Sequence, residues 1–333
     1  KQVETIRQNK LSTEFKRYNL WNLLSHKKDE FIFLDLGFMP TFEYRIEEYF
    51  KNNSQFYGID GSSETKKFNK KRNNETIINK MIVSKEIPYP IRPKYLSWAC
   101  CEISEVVNAS DERNLKMKKK NFSNLENEVI DLKNYFKNIN LDFIKSDLDS
   151  MDMITLHELE DKFKSKEILG ILIEVHNGFE YSKVESENFN SFDQVFKFMN
   201  RYNYRLFEQT NVRMMRKSAR KYKYHKIFND NNWVNSEKGQ IIFGDMLFFL
   251  DPRDQSNRIS YSKMRKLLSL LDCYDLSDVA HDFLQNSPKY FDNAEVTSKI
   301  EKILKKRIES NYKNYNPLNI KEVYLRGSIN KNK

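Results

Sequence analysis

Three groups of polar residues come directly after short apolar runs, at the places where strands are expected to end. The groups are Asp35 with Gly37, Asp60 alone, and Glu174 with His176 and Glu180. An acid that follows a strand can accept hydrogen bonds from a ribose diol, and a glycine there lets the backbone approach an adenosyl ligand. A histidine beside carboxylates can act as a general base, since its ordinary pKa suits neutral pH. We therefore expect one crevice that holds a nucleoside-type ligand next to a base.

Apolar runs place these groups on a sheet. Residues 31–34 (FIFL) and 55–59 (QFYGI) predict two buried strands, and 41–50 between them predicts a helix with one apolar face. This strand–helix–strand unit implies a parallel sheet with a right-handed crossover. Further strands are expected over 77–83, 95–103, 168–175, 204–207 and 245–250. Ligands of open parallel sheets bind at the carboxyl ends of the strands, which is where all three polar groups fall.

The chain is expected to divide into three stretches. Residues 1–27 predict a helical lead-in, 28–252 an α/β domain, and 253–333 a helical extension with a basic end. In the extension, apolar residues such as Leu267 and Leu271 recur at helical spacing. With 39% hydrophobic residues, of which many are aromatic, a chain of 333 residues can bury a substantial core.

The net charge of +10 is concentrated in two stretches. Residues 211–226 hold seven cations and no acid, and residues 301–333 carry a net charge of +6. Candidate anion-binding residues in the first stretch are Arg213, Arg216, Lys217 and Arg220. A solvated face is the ordinary interpretation of such a run, but the tyrosines Tyr222 and Tyr224 also suit phosphate binding with stacking on bases or sugars. The basic end could contact an anionic polymer, a partner subunit or a membrane surface.

Composition excludes several classes of protein. No apolar run approaches the length of about 18 residues that a membrane helix needs, and the low glycine and proline content argues against collagen-like or linker-rich chains. The three cysteines cannot form a disulfide framework, and the scattered histidines argue against structural zinc, so a reducing cytoplasm and no resident metal are expected. A metal site formed by acids and a histidine is an alternative, although the spacing of these residues is not specific for a metal. Its members would be Asp147, Asp149, Glu174 and His176.

Four blocks occur in an order that resembles a known family. They are FLDLG at 33–37, FYGID at 56–60, ITLHEL at 154–159 and LIEVHNGFE at 172–180. Taken together they resemble the cofactor motif, the ribose acid, the T-L-[DE]-x-L segment and the K-I-D-V-E-G-x-E segment of the FkbM-type class I S-adenosylmethionine-dependent methyltransferases. The resemblance covers about 30–210. It implies an α/β, Rossmann-like class I methyltransferase sheet with helices on both faces.

The resemblance also implies a reaction. The residues that would hold S-adenosylmethionine are Asp35, Gly37 and Asp60, and the methyl group would pass to a hydroxyl of a glycan or nucleotide-sugar in polysaccharide modification. A sugar hydroxyl is a poor nucleophile and needs a base, for which His176 is the first candidate. Glu174 would orient His176 or act as the base itself, and Glu180 matches the closing acid of the family.

Two other functions stay open at this point. The loop over 37–41 reads GFMPT, in which the proline has no N–H and two bulky side chains follow the glycine. Such a loop favours a catalytically silent subunit that keeps the fold for binding or as a scaffold. A nucleic-acid-binding protein that uses 211–226 is the other alternative, and it predicts an affinity that falls steeply with salt.

Overall fold

The structure is a computed structural model. The chain forms two compact units. A sheet unit comprises His26–Ile259, and a helical unit comprises Lys1–Ser25 together with Ser260–Lys333. The structure describes residues 19–25, 29–38, 42–61, 65, 73–82, 129–148, 152–176, 190–214, 240–254, 257–286 and 293–314. The strands are β1 (Phe31–Leu36), β2 (Ser54–Ile59), β3 (Glu75–Ile78), β4 (Met81–Ile82), β5 (Val129–Ile130), β6 (Phe143–Ser146), β7 (Gly170–His176), β8 (Tyr204–Gln209), β9 (Val212–Met214) and β10 (Gln240–Leu250). The helices are α1 (Leu20–Leu24), α2 (Tyr44–Tyr49), α3 (Leu132–Tyr135), α4 (Asp152–Glu158), α5 (Glu160–Lys164), α6 (Phe192–Arg201), α7 (Tyr261–Cys273), α8 (Ser277–Asn286) and α9 (Ala294–Asn314).

One mixed sheet organises the sheet unit. Its hydrogen-bonded order is β3-β2-β1-β6-β7-β10-β8, β9 pairs with β10 outside this path, and β4 with β5 forms a separate pair. The strands from β3 to β7 along this path are parallel, whereas β10 is antiparallel to both of its neighbours. The chain leaves β1 through β2 and β3 on one side, and β6 and β7 lie on the other side. The strand order therefore reverses between β1 and β6, at the topological switch point of a doubly wound sheet, and it confirms the predicted α/β Rossmann-like sheet.

Aromatic packing holds the first parallel strands together. In β1 the adjacent residues Phe33 and Leu34 are both buried although they point to opposite faces, as expected for a sheet that is covered on both sides. The Phe33 ring lies 6.1 Å from the Phe56 ring on β2 and 6.0 Å from the Phe143 ring on β6. This contact across three strands fixes the relative positions of the strand ends that carry the polar groups.

The predicted elements are largely present, with differences that have local causes. The strand expected over 77–83 is two short strands, β3 and β4, and the region 95–103 lies outside the described residues. The strand expected over 245–250 begins instead at Gln240, because its first residues pair with β9 and only its later residues pair with β8. Ser191 is the N-cap of α6, but its hydroxyl donates to the Asp193 carboxylate at 2.6 Å and caps no backbone N–H of the helix.

The helical unit contains α1 and the three C-terminal helices. Ser260 caps α7 by accepting a hydrogen bond from the Lys263 N–H at 3.2 Å, and α8 packs against both α7 and α9. The Arg307 guanidinium on α9 forms an ion pair with Asp272 on α7 at 2.9 Å, and Asp272 is fully buried. The helices α7, α8 and α9 lie within the stretch that the sequence predicts to be helical. No helix in the described part of the chain has both the length and the apolar character that crossing a bilayer requires.

Candidate functional site

Asp35 and Lys145 flank the switch point of the sheet. Asp35 lies on β1 and is directly paired with Lys145 on β6. The Lys145 ammonium lies 3.7 Å from Asp35 Oδ1 and 3.4 Å from Asp147 Oδ2. Asp35 is 1% exposed, whereas the Lys145 side chain is 21% exposed. The ammonium therefore bridges a buried and a partly exposed carboxylate at the place where open α/β sheets bind their ligands.

Burial controls the ionisation of Asp35. It raises the pKa of this carboxyl to about 7, and the positive charge of Lys145 counteracts only part of the effect. Asp35 Oδ1 is buried and accepts no hydrogen bond from the described residues. Burial lowers the pKa of Lys145, but the charges of Asp35 and Asp147 outweigh burial and leave this pKa raised. Lys145 therefore stays protonated at neutral pH, while Asp35 is poised to exchange a proton.

Gly37 brings the ends of β1 and β6 into close backbone contact. Its φ is +76°, and a Cβ at this position would lie 1.8 Å from the backbone oxygen of Asp147. The N–H groups of Gly37 and Phe38 donate to the backbone oxygen of Ile59 at 3.1 and 3.3 Å. The structure thus requires a glycine here for its own backbone, whether or not a ligand also approaches it.

Phe38 occupies the space beside the end of β2. The residue is 1% exposed, and its ring lies 4.7 Å from the Phe42 ring, measured between centroids. A Cβ on Gly58 would lie 2.8 Å from the Phe38 ring, so the ring rests directly on the β2 backbone. The bulky side chain that follows Gly37 therefore belongs to the core and lies next to the candidate crevice.

Asp60 follows β2 and is held by its surroundings. Thr65 donates its hydroxyl to Asp60 Oδ1 at 3.0 Å, and the Asn79 amide donates to the Asp60 backbone oxygen at 2.9 Å. Asp60 is half-buried. Because Asp35 and Asp60 follow or end adjacent parallel strands, the structure brings the two predicted cofactor acids to the same edge of the sheet.

A buried polar cluster behind β6 and β7 was not predicted from the sequence. Asp152 accepts hydrogen bonds from the Ser146 hydroxyl at 2.6 Å and from the Asn190 amide at 2.8 Å. The same Asn190 amide donates to the backbone oxygen of Glu174 at 2.9 Å. Burial raises the pKa of Asp152 well above its usual value, although the Ser146 hydrogen bond opposes the shift. Asn190 therefore ties the carboxyl end of β7 to the beginning of α4 and fixes the backbone at Glu174.

A second acid lies beside Glu174 on the antiparallel strand. Asp245 on β10 is the direct cross-strand partner of Glu174, which is half-buried. Burial raises the pKa of Asp245, the Thr210 hydroxyl lowers it, and the negative charge of Asp147 raises it further. The carboxyl edge of the sheet is thus acidic from β6 to β10. No cluster of three or more histidine, cysteine or acidic side chains that could hold a metal occurs among the described residues.

The remaining predicted site residues are only partly described. His176 is the last residue of β7 and pairs with Phe243 on β10, and Arg213 on β9 pairs with Ile241. The predicted residues that lie outside the described part of the chain are Asp149, Glu180, Arg216, Lys217 and Arg220. The sequence analysis missed Lys145, for which a signal existed: a lysine in the middle of a short apolar strand needs a buried counter-ion.

Known proteins resemble this chain only in structure. No protein-family model and no curated protein matches it. A precorrin-6y C5,15-methyltransferase from Geobacter metallireducens is 10% identical, covers 69% of this chain and 85% of its own, and superposes with a TM-score of 0.28. An S-adenosylmethionine-dependent methyltransferase from Clostridium acetobutylicum is 12% identical over 72% of this chain and 91% of its own, with a TM-score of 0.29. Streptococcus pneumoniae Sp1610, solved in complex with S-adenosyl-L-methionine, is 9% identical over 86% of this chain and 97% of its own, with a TM-score of 0.27.

These superpositions are too loose to carry an argument about this chain. The fold assignment rests instead on the strand order, the parallel directions and the switch point between β1 and β6.

Proposed function

We propose that the sheet unit is a class I S-adenosylmethionine-dependent methyltransferase. The observation that carries the proposal is the position of Asp35 and Asp60 at the carboxyl edge of two adjacent parallel strands, with Asp35 at the switch point. Doubly wound sheets bind nucleoside ligands at this place. The seven-strand path with its one antiparallel member fits an α/β methyltransferase fold.

The chemistry of the residues present fits this cofactor. Asp60 would accept hydrogen bonds from the ribose hydroxyls, and Asp35 offers a buried carboxylate oxygen that accepts no hydrogen bond from the described residues. When bound, S-adenosylmethionine supplies an electrophilic methyl group. Glu174 and His176 at the end of β7 would take the proton from the acceptor hydroxyl, which is the part of the reaction that needs a protein base. The hydrogen bond from Asn190 keeps the backbone at Glu174 in place for this role.

We further propose an anionic acceptor, a hydroxyl of a glycan or nucleotide-sugar, as the FkbM resemblance implies. In β10, Phe243 pairs with His176, the last residue of β7, whereas Gln240 and Ile241 pair with β9. The β9 strand therefore lies beyond the carboxyl end of β7. Its Arg213 is the first cation of the basic stretch 211–226. Incubation with labelled S-adenosylmethionine and separate pools of sugar nucleotides, polysaccharide and RNA tests the acceptor class. Label in RNA alone would contradict the glycan acceptor.

Binding of the cofactor is expected to depend on Asp60. In a calorimetric titration of the full chain with S-adenosylmethionine, Asp60→Ala should weaken binding about tenfold or more, because a charge-assisted hydrogen bond contributes about 1.5–3 kcal/mol. Asp161→Ala is the matched control, since Asp161 is an exposed acid in an ion pair with Lys133. We expect this control to bind like the wild type. Absence of heat from the wild type, with no competition by S-adenosylhomocysteine, would remove the proposal.

The buried Phe38 ring favours a second candidate, a silent member of the same fold. If this ring takes space that the adenosyl group needs, Phe38→Leu should gain affinity for S-adenosylmethionine by about tenfold, since Leu is shorter and stays apolar. Phe42→Leu is the control because its ring is also buried and lies beside Phe38. Tight wild-type binding that Phe38→Leu leaves unchanged or weakens would exclude the silent alternative.

A further inference from the structure

Lys145 is a charge that the proposed reaction does not use. It lies on β6 at the switch point, beside Asp35 on the adjacent strand β1. Its side chain is 21% exposed, so the residue is partly withdrawn from water and still accessible. A ligand that binds over the carboxyl ends of β1 and β6 would therefore meet this ammonium as well as the carboxylate.

Two carboxylates share the positive charge of the Lys145 ammonium. Asp35 and Asp147 are its two ion-pair partners among the described residues, at 3.7 and 3.4 Å. A ligand cation that approached Asp35 would have to share this carboxylate with a fixed ammonium. An uncharged ligand of the same shape meets no such repulsion, because charge–charge interactions act only on charged groups.

We infer that Lys145 lowers the preference of this acidic edge for a cationic ligand, so that the lysine charge disfavours the sulfonium of S-adenosylmethionine relative to the neutral thioether of S-adenosylhomocysteine. This inference rests on the proposed function and adds a specificity-determining residue to it. The two ligands share the adenosyl and amino acid parts, and they differ in one methyl group and one positive charge. A lysine that faces the ligand acts on that difference, whereas contacts with the ribose act on both ligands equally.

The test is the ratio of two affinities in the full chain. Removal of the charge by Lys145→Met should raise the affinity for S-adenosylmethionine relative to S-adenosylhomocysteine by about tenfold, the order expected for two charges several ångströms apart in a partly buried site. Lys133→Met removes the same charge from an exposed ion pair on α3 and should leave the ratio within about twofold of wild type. An unchanged ratio in Lys145→Met would overturn the inference and leave the proposed function standing. Failure of every variant and of the wild type to bind either ligand would instead remove the proposed function.

A second pair of variants covers the case in which Lys145→Met does not fold. Loss of the lysine alone leaves Asp35 as an uncompensated buried acid, so the double variant Asp35→Asn/Lys145→Met is compared with Asp35→Asn. The affinity ratio should again rise about tenfold between these two proteins, because only the lysine charge differs. Equal ratios in the pair would contradict the inference.

Discussion

Gly37→Ala is expected to unfold at a much lower urea concentration than the wild type, with a loss of about 3–5 kcal/mol in the free energy of unfolding. The glycine has a φ of +76°, and a Cβ there would lie 1.8 Å from the backbone oxygen of Asp147. Backbone on the neighbouring strand cannot rotate away as a side chain can. The ends of β1 and β6 would therefore have to separate, and the Asp35–Lys145 pair would separate with them.

Gly58→Ala is the matched control for this prediction. Its Cβ would meet the Phe38 ring at 2.8 Å, and the neighbouring atoms within reach are side-chain atoms that can shift. We expect a loss of about 1–2 kcal/mol, followed by urea unfolding with circular dichroism. Equal losses in the two variants would show that the strand ends at Gly37 are less tightly apposed than the structure indicates.

Asp35→Asn is expected to stabilise the protein at pH 8, by about 2 kcal/mol, while it weakens binding of a cationic cofactor. Burial raises the pKa of Asp35 from 3.8 to about 7, so the folded protein holds a proton that the unfolded chain has already released between these pH values. The stability contributed by this group therefore falls as pH rises from about 4 to about 7, and stays low above it. The full difference corresponds to an upper limit of about 4 kcal/mol, which already includes the attraction of Lys145 because that attraction lowers the pKa of Asp35. The buried asparagine amide needs hydrogen-bond partners of its own, and this cost subtracts from the gain.

The pH profile distinguishes this effect from a general change in stability. Asp35→Asn should exceed the wild type in urea midpoint at pH 8 and approach it near pH 4, because an asparagine does not titrate. The Asp35→Asn variant should keep part of the pH dependence, since burial also raises the pKa of Asp152. Asp193→Asn is the control, because the pKa of this exposed acid is shifted in the opposite direction: the hydrogen bond from the Ser191 hydroxyl lowers it. An Asp35→Asn variant less stable than wild type at pH 8 would mean that the ionised Asp35 is a net stabilising partner of Lys145.

The sheet could be predicted from the sequence because its strands are short apolar runs that end in polar residues. Phe31–Leu36 and Ser54–Ile59 begin and end within two residues of the predicted limits, and Asp35 and Asp60 lie at the expected edge. The antiparallel part was less predictable. The first residues of β10 follow no distinctive pattern, and their pairing with β9 depends on a partner that lies 26 residues or more away along the chain.

The candidate site was only half predictable, because its main contacts join distant parts of the chain. The pairing of Lys145 with Asp35 depends on the register between β6 and β1, and the sequence of β6 alone (FIKS) does not reveal this register. Asn190 reaches Asp152 over 38 positions and connects a loop residue to a helix start. Neither contact leaves a periodic signal, whereas a buried charge in a strand does indicate that some counter-ion is near.

The reversed direction of β10 separates two parts of the protein that evolution can alter independently. The proposed nucleoside site lies at the carboxyl ends of β1, β2 and β6, whereas β9 and the first residues of β10 pair with each other beyond the end of β7 and form a two-stranded arm. We expect insertions, deletions or exchanges between Met214 and Gln240, where the two strands of the arm end and begin, to leave the register of the parallel strands untouched. For the proposed methyltransferase, changes in the arm would therefore be a way to alter the acceptor while the parallel strands stay as they are.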